Sequence, residues 1–345
     1  MQKYLYLSQV DLYAEELGRT SPSYLWPFSQ ALAATMSLAH VRTQGAKASF
    51  IMGAQLHGLA AYLTTTPPVA TTSAESFASV PHFAASIASA GTPATSFYDD
   101  NDWVGIELAR LYELTRDEAA LTLAEQIMAF EQAGWSNNPG GACPGGIPHA
   151  VSEGGAARST ISTAPAAELG VQLYEITRNA AYLQFAEAAY AWVRGCMLLT
   201  SGLYADHLES SGEPDPEVWS YTQGVMIGAG ALLYKATGNQ AYLDQAYMSA
   251  EAALSYFSLE ILGAEGGPAP AFASIFFRNL LYLDWILHSS TGRQLAQEYV
   301  NWAWESLRQP NGLFSSAEGN ATSLLGQAAI TQIYALLSTN PASYF

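Results

Sequence analysis

Asp99 and Asp100 stand side by side in "SFYDDNDWVGIELARLYELT", residues 96–115, just ahead of a long helical pattern. Two adjacent carboxyls suit chemistry that needs a proton donor and a nucleophile or base together. Glycosidic hydrolysis is one such case, and retaining enzymes hold the two groups roughly 5 to 5.5 Å apart. Neighbouring Cα atoms lie about 3.8 Å apart, so aspartates that diverge at a helix entrance can reach that separation. Charges this close do not titrate independently, and the pair keeps one proton over part of the pH range. The same residues also suit a purely structural task, since Asp and Asn favour N-caps and first helical turns. Adjacency alone does not choose between these readings and assigns no roles. Asn101 and Asp102 read as capping residues, with Asn101 also a candidate for substrate contact. A "DDxxD" metal motif fails because its fifth position is Trp103. An EF-hand loop fails because its sixth and twelfth positions, counted from Asp99, hold Val104 and Arg110.

The elements that position this pair come from a repeat. "ELARLYELTRDEAALTLAEQIM", "ELGVQLYEITRNAAYLQFAEAAYAW" and "GAGALLYKATGNQAYLDQAYMSAEAAL" are three copies of one pattern, marked by Tyr112, Tyr174 and Tyr234. Each is an amphipathic helix, a short polar turn and a second amphipathic helix. A period of about 60 residues fits the chain about six times, which predicts an all-α fold, an (α/α)6 barrel or toroid of six helical hairpins, in a single domain over 1–345. A straight solenoid would need capping repeats with polar outer faces, whereas both ends here are as amphipathic as the middle. Segments rich in Gly, Pro, Ser and Thr near residue 70 and from 136, 209 and 263 read as loops joining one hairpin to the next. They are expected to gather on one face and carry the site.

Composition narrows the partners. The chain has 345 residues, half of them hydrophobic, enough for a large buried core. Thirty acidic against thirteen basic residues give a formal charge of -17, which disfavours nucleic acid and anionic membranes and leaves neutral or cationic partners. No run approaches the roughly 18 apolar residues of a membrane span, and the start, "MQKYLYLSQVDLYAEELG", does not read as a signal peptide. Cys143 and Cys196 are the two cysteines. They could pair, but the readiness of Cys to pack as a small hydrophobe favours two buried thiols.

Several landmarks resemble glycoside hydrolase family 76, the endo-α-1,6-mannanases and their relatives. "YDDNDW" with "LARLYELTRD" is similar to its catalytic segment, and "CPGGI" at 143–147 to its Gly-Gly-Ile loop. "RSTISTAPAAELGVQLYEIT", "WSYTQGVMIGAGALLYKATGN" and "FASIFFRNL" follow in the family's order. The resemblance implies an (α/α)6 barrel, a retaining mechanism without metal or cofactor, Asp99 as nucleophile and Asp100 as acid/base. It implies a neutral α-linked polysaccharide or oligosaccharide as substrate; a monomer is the expected working form. Two departures stand out: Pro148 and His149 follow Gly-Gly-Ile where the family commonly has two aromatics, and Thr222 replaces an Asn before Gln-Gly. Both are expected near the sugar, which moves the expected substrate away from plain α-1,6-mannan.

Sugars are gripped by aromatic faces and a few hydrogen bonds in a largely apolar cleft. Trp26, Trp219 and Tyr221 stand at loop-to-helix junctions, and Gln30 and Gln223 sit in the similar contexts "WPFSQA" and "WSYTQG"; all five are candidate substrate contacts. His149 and Asp206 are further candidates, with loop solvation as the plainer role, and His207 is another. Trp192 and Trp285 read as packing residues, and Arg278 as either a site residue or a buried structural cation. Three rival functions remain open. A 2-epimerase-like sugar isomerase would use His149 and His207 as acid and base but leaves the aspartates idle. A non-catalytic glycan binder would not need both carboxyls. A transglycosylase shares every residue named.

Overall fold

The computed structural model describes residues 1–64, 80–87, 95–136, 143–153, 157–209, 211–266, 268–315 and 321–345. The predicted loop near residue 70 and parts of the loops from 136, 209 and 263 lie outside these residues. The chain divides into two compact units, one of residues 1–62 with 254–345 and one of residues 63–253.

The second unit carries the three sequence repeats as three hairpins: α3 (Tyr98–Thr115) with α4 (Glu118–Gly134), α5 (Thr160–Thr177) with α6 (Ala180–Cys196), and α7 (Ser220–Thr237) with α8 (Gln240–Tyr256). The first helix of each pair is buried almost all round for three turns, while the second buries a single stripe. That division is what a two-layer helical fold requires: a helix apolar on every face needs neighbours on every face. Accordingly α5 packs on both α3 and α7.

The turn inside each hairpin is the same device three times. Arg116, Arg178 and Gly238 take left-handed backbone conformations, and their N–H groups donate to the carbonyls of Tyr112, Tyr174 and Tyr234. The next residue, Asp117, Asn179 or Asn239, then accepts from the N–H of Ala119, Ala181 or Ala241 and starts the second helix. Successive hairpins are latched by the hydroxyls of Tyr182 on Glu125 and Tyr242 on Glu187, each at 3.0 Å. The described residues of this unit also form two short antiparallel ribbons, β3 (Leu63–Thr64) with β4 (His82–Phe83) and β5 (Arg158–Ser159) with β6 (His207–Leu208).

The first unit holds a ribbon of β1 (Tyr6–Leu7) and β2 (Leu12–Tyr13), the hairpin α1 (Leu25–Ala39) and α2 (Gly45–Leu59), the short α9 (Leu259–Ala264), the hairpin α10 (Ala269–Leu287) and α11 (Thr291–Ser306), and α12 (Leu324–Leu337). Among the described residues the predicted hairpin series includes five long hairpins and a last helix, α12, which packs on α1 and α10 and is followed by a 3-10 turn at Pro341–Ser343. Arg278 is a structural cation: its guanidinium donates to Tyr344 O at 2.7 Å and lies 4.3 Å from the centre of the Phe345 ring. Trp192 is buried as expected, but Trp285 is 39 % exposed with one side against Tyr282. Among the described residues no helix is long and apolar enough to cross a membrane.

Candidate active site

Asp99 and Asp100 occupy the first turn of α3. The N-cap position belongs to Phe97, whose side chain caps nothing, so the expected capping role passes to neither aspartate nor to Asn101 or Asp102. Their carboxylates benefit instead from the positive end of the helix. Asp100 is 7 % exposed, and the Asp99 side chain keeps 14 % of its surface. Burial raises the pKa of both. For Asp99 that rise is opposed by the charge of His149 and by the N–H groups of Asp100 and Asp99 itself, while Asp206 adds to it. For Asp100 nothing opposes it: burial and then the Asp99 charge hold the group well above the ordinary carboxylate range. The two environments therefore separate a carboxyl that ionises more readily from one that keeps its proton.

The structure brings His149 and Asp206 to this pair. His149 Nε2 lies 3.5 Å from Asp99 Oδ1, and its ring packs on Phe97 with centres 4.8 Å apart. The loop that carries it is pinned at several points. Cys143 and Cys196 form a disulfide with Cα atoms 5.9 Å apart, which corrects the expectation of two separate thiols. Spacing along the chain gave no hint of this, because the loop folds back over the end of α6. Arg158 Nη1 donates to the carbonyls of Cys143 and Gly145, and Trp192 Nε1 donates to Cys143 O. Gly145 and Gly146 adopt φ of +109° and +79°, and a Cβ on either would fall within 3 Å of Trp135 or Trp192 ring atoms. Those glycines are needed both for the backbone and for the indoles it lies on. The loop ends by accepting from Tyr98 N at His149 O, 3.1 Å, so it is tied directly to the start of α3.

Asp206 is set by the neighbouring ribbon. Its carbonyl accepts from Thr160 N at the start of α5, and the next residue, His207, pairs with Ser159 in the β5–β6 register. His207 Nδ1 lies 2.9 Å from Asp206 Oδ2 and Nε2 lies 3.4 Å from Glu209 Oε1. Burial lowers the His207 pKa, but the bond to Asp206 and the charges of Asp206, Asp215 and Glu209 raise it overall. His207, Glu209 and Asp215 place possible ligand atoms within 4.8 Å of one another. With His207 already between two carboxylates, this group is first an ion-pair cluster.

Several other expected contacts have structural partners. Asn101 is fully buried and clamps β4: it accepts from Phe83 N at 2.7 Å and donates to Phe83 O and Phe97 O. Gln223 is 1 % exposed and does the same to Tyr204, accepting from its N–H at 2.8 Å and donating to its carbonyl at 3.0 Å. Both amides are buried and hold backbone groups at both ends, which gives each a structural role. Thr222 is likewise buried, with its hydroxyl donating to Trp219 O. Trp219 and Tyr221 are half-buried at the start of α7. In the first unit, Trp26 packs on Phe272 and on the Ala271, Leu325 and Ala329 cluster, and Gln30 is buried within α1. Sequence reasoning missed Glu131 and Glu168, two buried acids in α4 and α5 whose charges reach Asp102 and, for Glu131, Asp99. The signal was there: each is a single acid inside an apolar stripe at helical spacing.

With this geometry in view, comparisons with known proteins converge. The profile of Glycosyl hydrolase family 76 matches residues 8–280. A family 76 glycoside hydrolase, a mannosidase of Bacteroides thetaiotaomicron VPI-5482, superposes with a TM-score of 0.83 over 98 % of this chain and 94 % of its own, at 21 % identity. An inactive variant of an α-1,6-mannanase from Salegentibacter sp. HEL1_6, with two consecutive aspartates changed to asparagine and α-1,6-mannotriose bound, superposes at 0.77 over 97 % and 95 %, at 20 % identity. A mannan endo-1,6-alpha-mannosidase of Candida glabrata is 24 % identical over 111 residues, which is 30 % of this chain and only a quarter of that protein. The fold is all-α, of the (α/α)6 barrel class. A family profile spanning well over half of the sequence, on a helical fold shared from end to end with solved members, means that this chain belongs to glycosyl hydrolase family 76.

Proposed function

We propose that the protein is a retaining glycoside hydrolase that cleaves α-mannosidic linkages, α-1,6 foremost, in mannan-like glycans, with residues 1–345 working as one catalytic domain. The observation that carries this is the adjacent pair at the start of α3, where burial and the Asp99 charge hold Asp100 well above the ordinary carboxylate range, while the burial that raises Asp99 is opposed by the His149 charge and two backbone N–H groups. Asp99 attacks the anomeric carbon as Asp100 donates its proton to the leaving oxygen, giving a glycosyl-enzyme ester and a free chain end. Asp100, now a carboxylate, takes a proton from water; the resulting hydroxide attacks the anomeric carbon and releases Asp99. The two carboxyls supply nucleophile, acid and base, so the scheme calls for no metal or cofactor.

The relatives support the substrate class, since the Salegentibacter protein is an α-1,6-mannanase bound to α-1,6-mannotriose and is described as inactive once two consecutive aspartates are replaced. The formal charge of -17 is also in keeping with a neutral glycan. Reducing-end release with product profiling, on a panel of α-mannans and other neutral α-glycans, tests the reading. Short α-1,6-mannan oligosaccharides are expected from the wild type and not from Asp99→Asn or Asp100→Asn. Activity that survives in both variants would sink the assignment.

A further inference from the structure

Helices α3, α4 and α5 meet at Gly105, where an added Cβ would lie 2.7 Å from Leu169 Cδ2 and 3.0 Å from Ile127 Cγ2. One turn back along α3 from that layer is Asp102; α4 runs the other way, so its next turn brings Glu131, four residues after Ile127. Both side chains have no exposed surface, and none of their four carboxyl oxygens has a hydrogen-bond partner among the described residues. On α5, Glu168 is buried beside Leu169, and neither end of the Gln172 amide one turn on has a hydrogen-bond partner among the described residues. The nearest buried cation on α3, Arg110, is engaged with Glu107 at 2.5 Å.

The charged groups acting on this pair are all acidic. Asp102 feels Asp99 and Glu168; Glu131 feels Asp102 and Asp99; Tyr98, in turn, feels Glu131. A buried carboxylate with neither a hydrogen bond nor a counter-charge is strongly disfavoured and takes up a proton instead. There is also a chemical reason for neutrality here. An ionised Asp102 or Glu131 close to Asp99 would hold the nucleophile protonated and unable to attack.

We propose that Asp102 and Glu131 each keep a proton in the working protein and act as positioning residues for Asp99, forming a neutral floor that leaves it the carboxyl of this group that ionises first. The role rests on the reading of Asp99 as nucleophile; the protonation itself does not.

Three readouts test this. The first is stability against pH for wild type, Asp102→Asn and Glu131→Gln. A carboxyl that stays protonated when folded leaves stability intact below the ordinary carboxylate range and erodes it as pH rises toward the folded value. The wild-type Tm is therefore expected to fall between about pH 5 and 8, and each amide variant to fall less steeply. The second is isotope-edited infrared spectroscopy with labelled Asp or Glu. A protonated-carboxyl band that shifts in D2O is expected at pH 7 and should weaken in the matching variant. The third is catalytic. Asp102→Ala is expected to lose on the order of a hundredfold in kcat as Asp99 loses its support, while the isosteric Asp102→Asn recovers most of that and leaves the acid limb of the kcat/KM profile in place.

The opposite result is as clear. If Asp102 is ionised, Asp102→Asn removes a negative charge beside Asp99, the acid limb moves to lower pH, and neither the infrared band nor the slope of Tm changes. Should Asp102→Asn not fold, Glu131→Gln carries the same three measurements. Absence of hydrolysis on every glycan would overturn the hydrolase reading alone, because infrared and Tm still decide whether the pair holds protons.

Discussion

The imidazole Nε2 of His149 sits 3.5 Å from Oδ1 of Asp99, the first of the two adjacent aspartates. When protonated, that imidazole is a counter-charge to a carboxyl that burial otherwise holds up. His149→Ala should therefore raise the proton affinity of Asp99 and move the acid limb of kcat/KM to higher pH. On the acid side of the optimum the loss should be roughly tenfold, the scale of one charge-assisted contact. An acid limb that does not move would show that His149 touches Asp99 without tuning it.

The position of His149 depends in turn on the Cys143–Cys196 disulfide, which closes a segment with a sequence separation of 53 residues. Chain entropy assigns a crosslink of that span about 4 kcal/mol. Cys196→Ser, or reduction with dithiothreitol, should lower stability on that order in chemical denaturation. It should also lower kcat more than it raises KM, because the loop that holds His149 against α3 loses one of its anchors. Equal stability with and without reductant would mean that Arg158 and Trp192 hold the loop unaided.

Asn101 and Gln223 share a trick with Gln327 in the first unit, whose amide accepts from Phe314 N at 3.0 Å and donates to Phe314 O at 2.6 Å. In each case the fourth residue of a helix plugs the backbone of a preceding segment, as an added strand would. Asn101→Ala and Gln223→Ala each strand a buried N–H and C=O, so each should cost about 2 to 4 kcal/mol in denaturation experiments. The KM of Gln223→Ala should stay near that of wild type wherever the protein remains folded. A large rise in KM with unchanged stability would return Gln223 to the substrate contacts.

These clamps show where sequence reasoning stopped. The hairpins were legible, because helical periodicity and the polar turns after Tyr112, Tyr174 and Tyr234 are local properties of the chain. The pairing of Asp99 with Asp100 was legible for the same reason. The partners of Asn101, Gln223 and Cys143 were not, since Phe83, Tyr204 and Cys196 are brought to them by tertiary folding over 18, 19 and 53 residues. An amide at a helix start looks alike in sequence whether it serves a sugar or a strand. Only the commitment of its donors and acceptors tells them apart.

The hairpin turns offer a test of the repeat itself. Two copies place Arg116 and Arg178 at a φ of 61°, whereas the third uses Gly238 at 71°. A Cβ at Gly238 would meet no atom within 4 Å, so Gly238→Ala isolates the backbone cost of the left-handed conformation, about 1 to 2 kcal/mol. The reverse change, Arg178→Gly, relieves that strain but gives up the guanidinium's place 5.7 Å over the Tyr174 ring and adds unfolded-chain entropy. Those effects oppose each other, and the net change should stay within about 1 kcal/mol. Urea unfolding of both variants would show the asymmetry: a clear loss for Gly238→Ala and little change for Arg178→Gly. A loss of equal size in both would mean that the arginine's contact with tyrosine, and not the backbone conformation, is what the turn selects.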